Sequence, residues 1–317
     1  MTNVMRVASL LPAATEWIAA FGASKMLCAR SHECNYPSEI ELVPVVTTSG
    51  IDSDTSSTEI DEQVRRHLDE GLSLYGVDTE RLRALSPDLV VTQAQCDVCA
   101  VTEKQLSDAL SAAVDSEAEL LSLSPSTFKE VLDGALKLAR KIGREKTAMA
   151  WIAEREQHLR QLRSRLAPLE PASVVAIEWM DPLMTAGHWT PDLIEHAGGI
   201  SLLAEAGAAS TYIGWDDLLS ADPDVVCIIP CGFDLGQIRE NLDDLTGRSE
   251  WRQLRAVQEG EVYAFDGDAY FNRPGPRLYR SIELMAYALH GEKVKGAIRP
   301  PAADEMARVR FSQTPAS

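Results

Sequence analysis

No apolar stretch of this chain is long enough to cross a bilayer, so no membrane-spanning helix is expected. A secretory leader needs a basic start, an apolar run of about seven residues or more and a small-residue cleavage site. The opening has no such combination, because the run from Val7 to Leu11 passes at once into Pro12. Read as written, the chain is expected to stay in the cytoplasm, or in the periplasm if a leader has been removed. Basic charge is also scarce. The 30 Lys and Arg stand against 48 Asp and Glu, a net charge of -18, which repels a phosphate backbone and excludes nucleic acid as a partner. Finally, G-x-G-x-x-G, G-x-x-x-x-G-K, G-x-S-x-G and H-E-x-x-H are all missing. No catalytic acid, base or nucleophile can be named on that basis, and an enzyme is not expected.

What is present is the composition of a globular protein, 317 residues with 45% hydrophobic and 25% charged, enough for two cores. Short β-branched runs alternate with helical segments, a pattern that predicts mostly parallel sheets covered by helices. Strands are expected near Arg6 to Leu10, Leu27 to Arg30, Asp88 to Thr92 and Leu120 to Leu123, with helices over Ala13 to Phe21, Glu59 to Glu70 and Val101 to Ala113. These make a first α/β lobe over residues 1–124. Ser124 then caps a helix beginning at Pro125, whose apolar face runs from Phe128 to Ile142 until Gly143 interrupts it. A second helical stretch, Glu145 to Leu166, has a thin apolar stripe at Ile152, Leu159, Leu162 and Leu166, so residues 125–168 read as a helical connector. A second lobe, 169–291, is built on Ser173 to Ile177, Asp224 to Ile229 and Glu261 to Phe265 and closes with a helix from Pro276 to Leu289. Residues 292–317, with Pro300, Pro301 and Pro315, read as a loosely packed extension.

Ligands of open α/β sheets bind beyond the carboxyl ends of the strands, and the segments following these strands carry unusual chemistry. Cys96 and Cys99 have the C-x-x-C spacing of a metal grip or a reversible disulfide. With Cys34 and Cys231, each after another strand, and with His32 as a substitute, they suit zinc or an iron-sulfur cluster. The competing reading is that each packs a tight loop; Cys28 and Cys227 fall inside strands and belong to the core. Trp179, Trp189, Trp215, Tyr36, Tyr270 and Phe271 offer flat apolar faces suited to a large planar ligand, against the alternative of ordinary loop packing. His188 is placed to donate to a ligand or to coordinate a metal, whereas His67, His158, His196 and His290 lie in helical contexts. Asn272-Arg273-Pro274-Gly275-Pro276-Arg277 opens the last helix, with Arg273 either facing a ligand or anchoring nearby carbonyls.

Several of these segments together resemble a known family. Ser9-Leu10-Leu11-Pro12-Ala13-Ala14-Thr15-Glu16, His32-Glu33-Cys34, Ser73-Leu74-Tyr75, Glu178-Trp179-Met180-Asp181-Pro182, Ala186-Gly187-His188-Trp189 and Tyr270 to Arg277 are similar to the pattern of cobalamin-binding proteins related to the periplasmic vitamin B12 carrier. The resemblance runs from about Arg6 to His290. It implies two α/β lobes joined by one long helix, a ligand cleft between them, and delivery of the ligand to an ABC importer, the arrangement of class III solute-binding proteins. The implied ligand is cobalamin or a related metal chelate, lined by Tyr36, Glu178, Trp179, His188, Trp189, Tyr270, Phe271 and Arg273. A second expectation stays open: a cytoplasmic metal or iron-sulfur protein that ligates through Cys34, Cys96, Cys99 and Cys231.

Overall fold

In the computed structural model, residues 4–53, 55–69, 74–93 and 118–309 are described, and the chain divides into two compact units. The first comprises residues 1–125 and 129–153, the second residues 126–128 and 154–317.

The first unit is organised on a parallel sheet of four strands, β1 (Val7–Ser9), β2 (Leu27–Arg30), β5 (Leu89–Thr92) and β6 (Glu119–Ser122), in the order β2-β1-β5-β6. Its central members are buried along their whole length, which is why they read as unbroken apolar runs rather than alternating ones. Ala8, Leu10, Ala29, Val46, Leu82 and Val90 form one cluster of its core. The helix Pro12–Ala20 follows β1 directly, with its proline at the first turn, where the missing N–H costs nothing. Two short strands, β3 (Thr47–Ser49) and β4 (Tyr75–Val77), pair antiparallel as a separate ribbon. The expected helix over 101–113 lies outside the described residues.

Helix Phe128–Lys141 begins three residues later than a Ser124 cap implies. Its first N–H, that of Phe128, donates to Asp192 Oδ2 at 2.8 Å, so a carboxylate distant in sequence satisfies the terminus. The expected apolar face is present: Phe128, Val131, Ala135, Leu138, Ala139 and Ile142 are all buried. Gly143, at φ +67°, ends it in the left-handed conformation glycine adopts most easily. A helix of 22 residues, Glu145–Leu166, follows, burying Leu159, Leu162 and Leu166. No helix among the described residues is long and apolar enough to cross a membrane.

In the second unit, β7 (Ala172–Trp179), β11 (Val225–Ile228) and β12 (Val262–Phe265) run parallel at the centre of the sheet. On one side β8 (Met184–Thr185) turns back antiparallel on the end of β7 and carries β10 (Thr211–Tyr212), while β9 (Gly199–Ser201) pairs with the start of β7. On the other side β13 (Met306–Arg308) adds to β12 antiparallel. The tail therefore does not hang loosely as far as residue 309. Glu305, only 2% exposed, holds Arg280 of the helix Leu278–His290 at 2.6 Å and accepts from its own turn at the Ala302 N–H, 2.8 Å away. An ion pair with a helix of the core gives this segment the anchor that its prolines and sparse apolar residues did not signal.

Candidate functional site

The richest constellation lies in the second unit, at the carboxyl ends of β7, β11 and β12. The three turns that leave these strands are bonded to one another. Cys231 N donates to Glu178 O at 3.1 Å, and both Gly267 N and Asp268 N donate to Phe233 O, at 3.0 and 3.2 Å. Gly267 permits that approach, since a Cβ there would lie 2.2 Å from Pro230 O. Trp179, the last residue of β7, sets its ring 5.3 Å from that of Phe233, and both are buried. Phe233 carries no signal in the sequence beyond its place after β11, and it was not among the expected ligand residues.

A second layer, tied to Glu178 through Ser210, holds His188. Its φ of +51° is rare for a side chain larger than glycine, and the backbone pins it: His188 N donates to Ala208 O at 2.6 Å and Gly207 N donates to His188 O at 2.9 Å. Gly187 cannot be larger, because a Cβ would sit 2.5 Å from Ala208 O and 2.6 Å from the Ala209 carbonyl carbon. Its N–H donates to Ser210 Oγ at 3.1 Å, and Ser210 Oγ in turn donates to Glu178 Oε2. Burial lowers the His188 imidazole below the ordinary histidine range, which favours the neutral ring at neutral pH.

The other expected residues are more deeply built in. Trp189 is 7% exposed and its Nε1–H donates to Phe271 O at 2.8 Å, while Phe271 is 1% exposed. Arg273, also 7% exposed, forms a two-pronged ion pair with Asp268, Nε donating to Oδ1 at 3.2 Å and Nη2 to Oδ2 at 2.6 Å, the planar fork that guanidinium and carboxylate make best. Tyr270 is half-buried, under the Arg277 guanidinium at 5.6 Å, and its hydroxyl reaches Glu305 at 3.3 Å. Burial, foremost, raises that phenol to about 12, so it stays protonated and acts as a donor.

In the first unit, the turns after β1 and β2 are tied by small polar groups. Ser31 N donates to Ser9 O at 3.0 Å. Thr15 Oγ1 lies 2.8 Å from Ser9 Oγ and 3.1 Å from Cys34 Sγ. These contacts give a physical meaning to the Ser-Leu-x-Pro-x-x-Thr-Glu opening: Ser9 and Thr15 hold the loop that starts at Ser31. Arg30 clamps the same loop through Cys34 O at 2.7 Å and Val43 O at 3.0 Å. His32 is engaged through Nδ1 with Thr47 Oγ1 at 2.6 Å and through Nε2 with Glu33 at 3.2 Å. Tyr36 is 47% exposed. Cys34 is 1% exposed and Cys231 half-buried; Cys96 and Cys99 lie outside the described residues. Among the described residues, no group of three or more His, Cys, Asp or Glu side chains is placed to hold a metal ion.

The chain thus combines two α/β units, each with parallel strands ending in side-chain-rich turns, the second carrying a braced aromatic rim. The chain belongs to the periplasmic binding protein family, whose model matches residues 7–269; members of this class carry small molecules to ABC importers. Among curated proteins, the putative ABC transporter substrate-binding lipoprotein YhfQ of Bacillus subtilis is 21% identical over 245 residues, covering 70% of each chain. Among solved structures, the fold is shared with the periplasmic vitamin B12 binding protein BtuF of Vibrio cholerae, at 20% identity and a TM-score of 0.64 over 89% of this chain and 95% of that one. It is shared equally with a periplasmic heme binding protein from Pseudomonas aeruginosa, at 18% identity and a TM-score of 0.70 over 97% and 99%. Family membership overturns the expectation of a cytoplasmic protein, and with it the cytoplasmic metal-protein reading. The family is periplasmic, and the N-terminal residues were too weak a guide to say otherwise.

Proposed function

We propose that this protein binds a planar metal chelate, cobalamin in the first place, and presents it to an ABC importer. The observation that carries this reading is the braced rim of the second unit, where Trp179 on Phe233 lies in the same layered turn system as a neutral, backbone-fixed His188. Aromatic faces suit the flat ring of a corrin or a heme, and a neutral imidazole suits its metal. In this reading Glu178, Trp179, His188 and Tyr270 touch the ligand, while Trp189, Phe271 and Arg273 hold the rim in shape. The likeness to a periplasmic vitamin B12 binding protein and a periplasmic heme binding protein supports the chelate class. Two features favour cobalamin over heme. The net charge of -18 opposes an anionic ligand, and the Arg273 guanidinium is already engaged by Asp268, whereas heme brings two carboxylates.

The test is equilibrium dialysis of the full chain against cobalamin and against heme, read by visible absorption. One-to-one cobalamin binding at micromolar or tighter affinity, weakened by alanine at Trp179, is the expected result. Unchanged binding curves in Trp179→Ala and His188→Ala would sink the assignment of the rim. Metal analysis of protein purified without oxygen tests the cysteine set on the same material. Stoichiometric iron or zinc that disappears when Cys96 and Cys99 are replaced by serine would shift the reading to a cysteine-ligated centre.

A further inference from the structure

Two polar atoms of opposite kind are left over when the hydrogen bonds of the rim are counted. Among the described residues the buried Trp179 indole N–H has no acceptor, and the buried Asn272 Oδ1 has no donor. The orientation of the Asn272 amide is fixed by its other half, because Nδ2 faces Ile229 O at 3.4 Å and a flipped amide would set oxygen against oxygen. Trp179 is 7% exposed. The two groups flank the same turn, Ile229 to Phe233. Trp179 packs on the Phe233 ring, while Asn272 reaches Ile229 O by its side chain and Gly267 O, at 3.0 Å, by its backbone N–H. A buried donor or acceptor without a partner costs about 1–3 kcal/mol, so such a pair survives in a binding rim most readily where a ligand completes it.

We infer that Trp179 and Asn272 read primary carboxamide groups on the edge of the ligand, and thereby select an amide-rimmed chelate over a carboxylate-rimmed one. A primary amide offers a carbonyl to the indole N–H and an N–H to Asn272 Oδ1, on one group or on neighbouring groups of the same ring. A carboxylate offers lone pairs only; it satisfies Trp179 but faces Asn272 Oδ1 with like charge and leaves it unpaired. The inference rests on the chelate reading and sharpens it toward corrins, whose periphery carries primary amides, and away from heme.

The experiment compares two corrins of the same ring, cobyric acid, which is mostly amidated, and cobyrinic acid, in which the same side chains are carboxylates. Affinities of the full chain are measured by equilibrium dialysis at high salt, where the general repulsion from the protein's negative charge is screened. The wild type is expected to prefer the amide form by about tenfold or more. Trp179→Phe and Asn272→Ala, each with an unchanged melting curve, are expected to lower that ratio severalfold. A wild-type ratio near one, a ratio that neither variant changes, or binding of heme without binding of corrins overturns the inference and leaves the chelate reading standing. Failure of corrins and heme alike to bind overturns the chelate reading itself, and the inference with it. The comparison in the wild type alone is decisive if a variant fails to fold.

Discussion

Replacing Glu305 by alanine should destabilise the second unit by about 3 kcal/mol, the lower end of the range for breaking a buried ion pair from one side. The carboxylate is 2% exposed and its main partner Arg280 is 12% exposed, so solvent cannot take over when the acid is removed. Arg280 meets Oε2 through Nη2 at 2.6 Å and Oε1 through Nε at 3.0 Å; the Ala302 N–H, Arg299 and the Tyr270 hydroxyl converge on the same group. The figure stays at the lower end because Arg280 keeps Glu283 at 2.6 Å and the carbonyls of Arg299 and Pro300. For a unit of this size the loss corresponds to a fall in melting temperature of about 6–12 °C, measured by calorimetry on the full chain. The pH dependence has a definite sign. Burial alone would raise the Glu305 pKa, but the hydrogen bonds from Arg280 and the Ala302 N–H, with both arginine charges, outweigh it and leave it below the ordinary range. Its contribution is therefore complete above the unfolded value near about 4.3 and is lost as pH falls through the lower folded value. Glu305→Gln should flatten that acid limb. Replacing the pair together, Arg280→Met with Glu305→Leu, should cost less than Glu305→Ala alone, because no charge is then stranded and Arg299, 63% exposed, can turn to solvent. A melting temperature for Glu305→Ala within about 2 °C of wild type would refute the reasoning.

Gly187→Ala drives a methyl group into the backbone of Ala208 and Ala209. It should cost about 1–3 kcal/mol by denaturant unfolding and should weaken ligand binding, because the displaced segment is the one that fixes His188. The His188 ring should titrate below the unfolded midpoint of about 6.5 in a proton NMR titration, since burial disfavours its charged form; acidification then costs stability, because the unfolded chain binds that proton more readily. A midpoint at or above the unfolded value would contradict the burial argument. Trp189→Phe removes the donor to Phe271 O and strands a buried carbonyl, for an expected loss of about 1–3 kcal/mol; an unchanged midpoint in urea would show that the bond contributes nothing.

The core strands were legible because burial on both faces leaves an unmistakable mark: Leu89-Val90-Val91-Thr92 and Val225-Val226-Cys227-Ile228 are continuous, β-branched and bounded by polar turns. Thr47–Ser49, Met184–Thr185 and Thr211–Tyr212 were not legible. Strands of two or three residues are too short to show a period, and their existence depends on a partner rather than on their own sequence. The turns that carry the site could be located for the first reason, since they follow visible strands. The role of each side chain within them could not, for the second. Trp189 and Phe271, Arg280 and Glu305, Thr15 and Cys34 are pairs from distant parts of the chain, and nothing local in either member announces the other. An exposed-ligand reading and a buried-scaffold reading of Trp189 or Arg273 are therefore identical at the level of sequence and differ only in the long-range partner. Trp179 and Asn272, a donor and an acceptor without a partner among the described residues, are the places in this rim where the inference drawn above puts the missing half of the pair on the ligand.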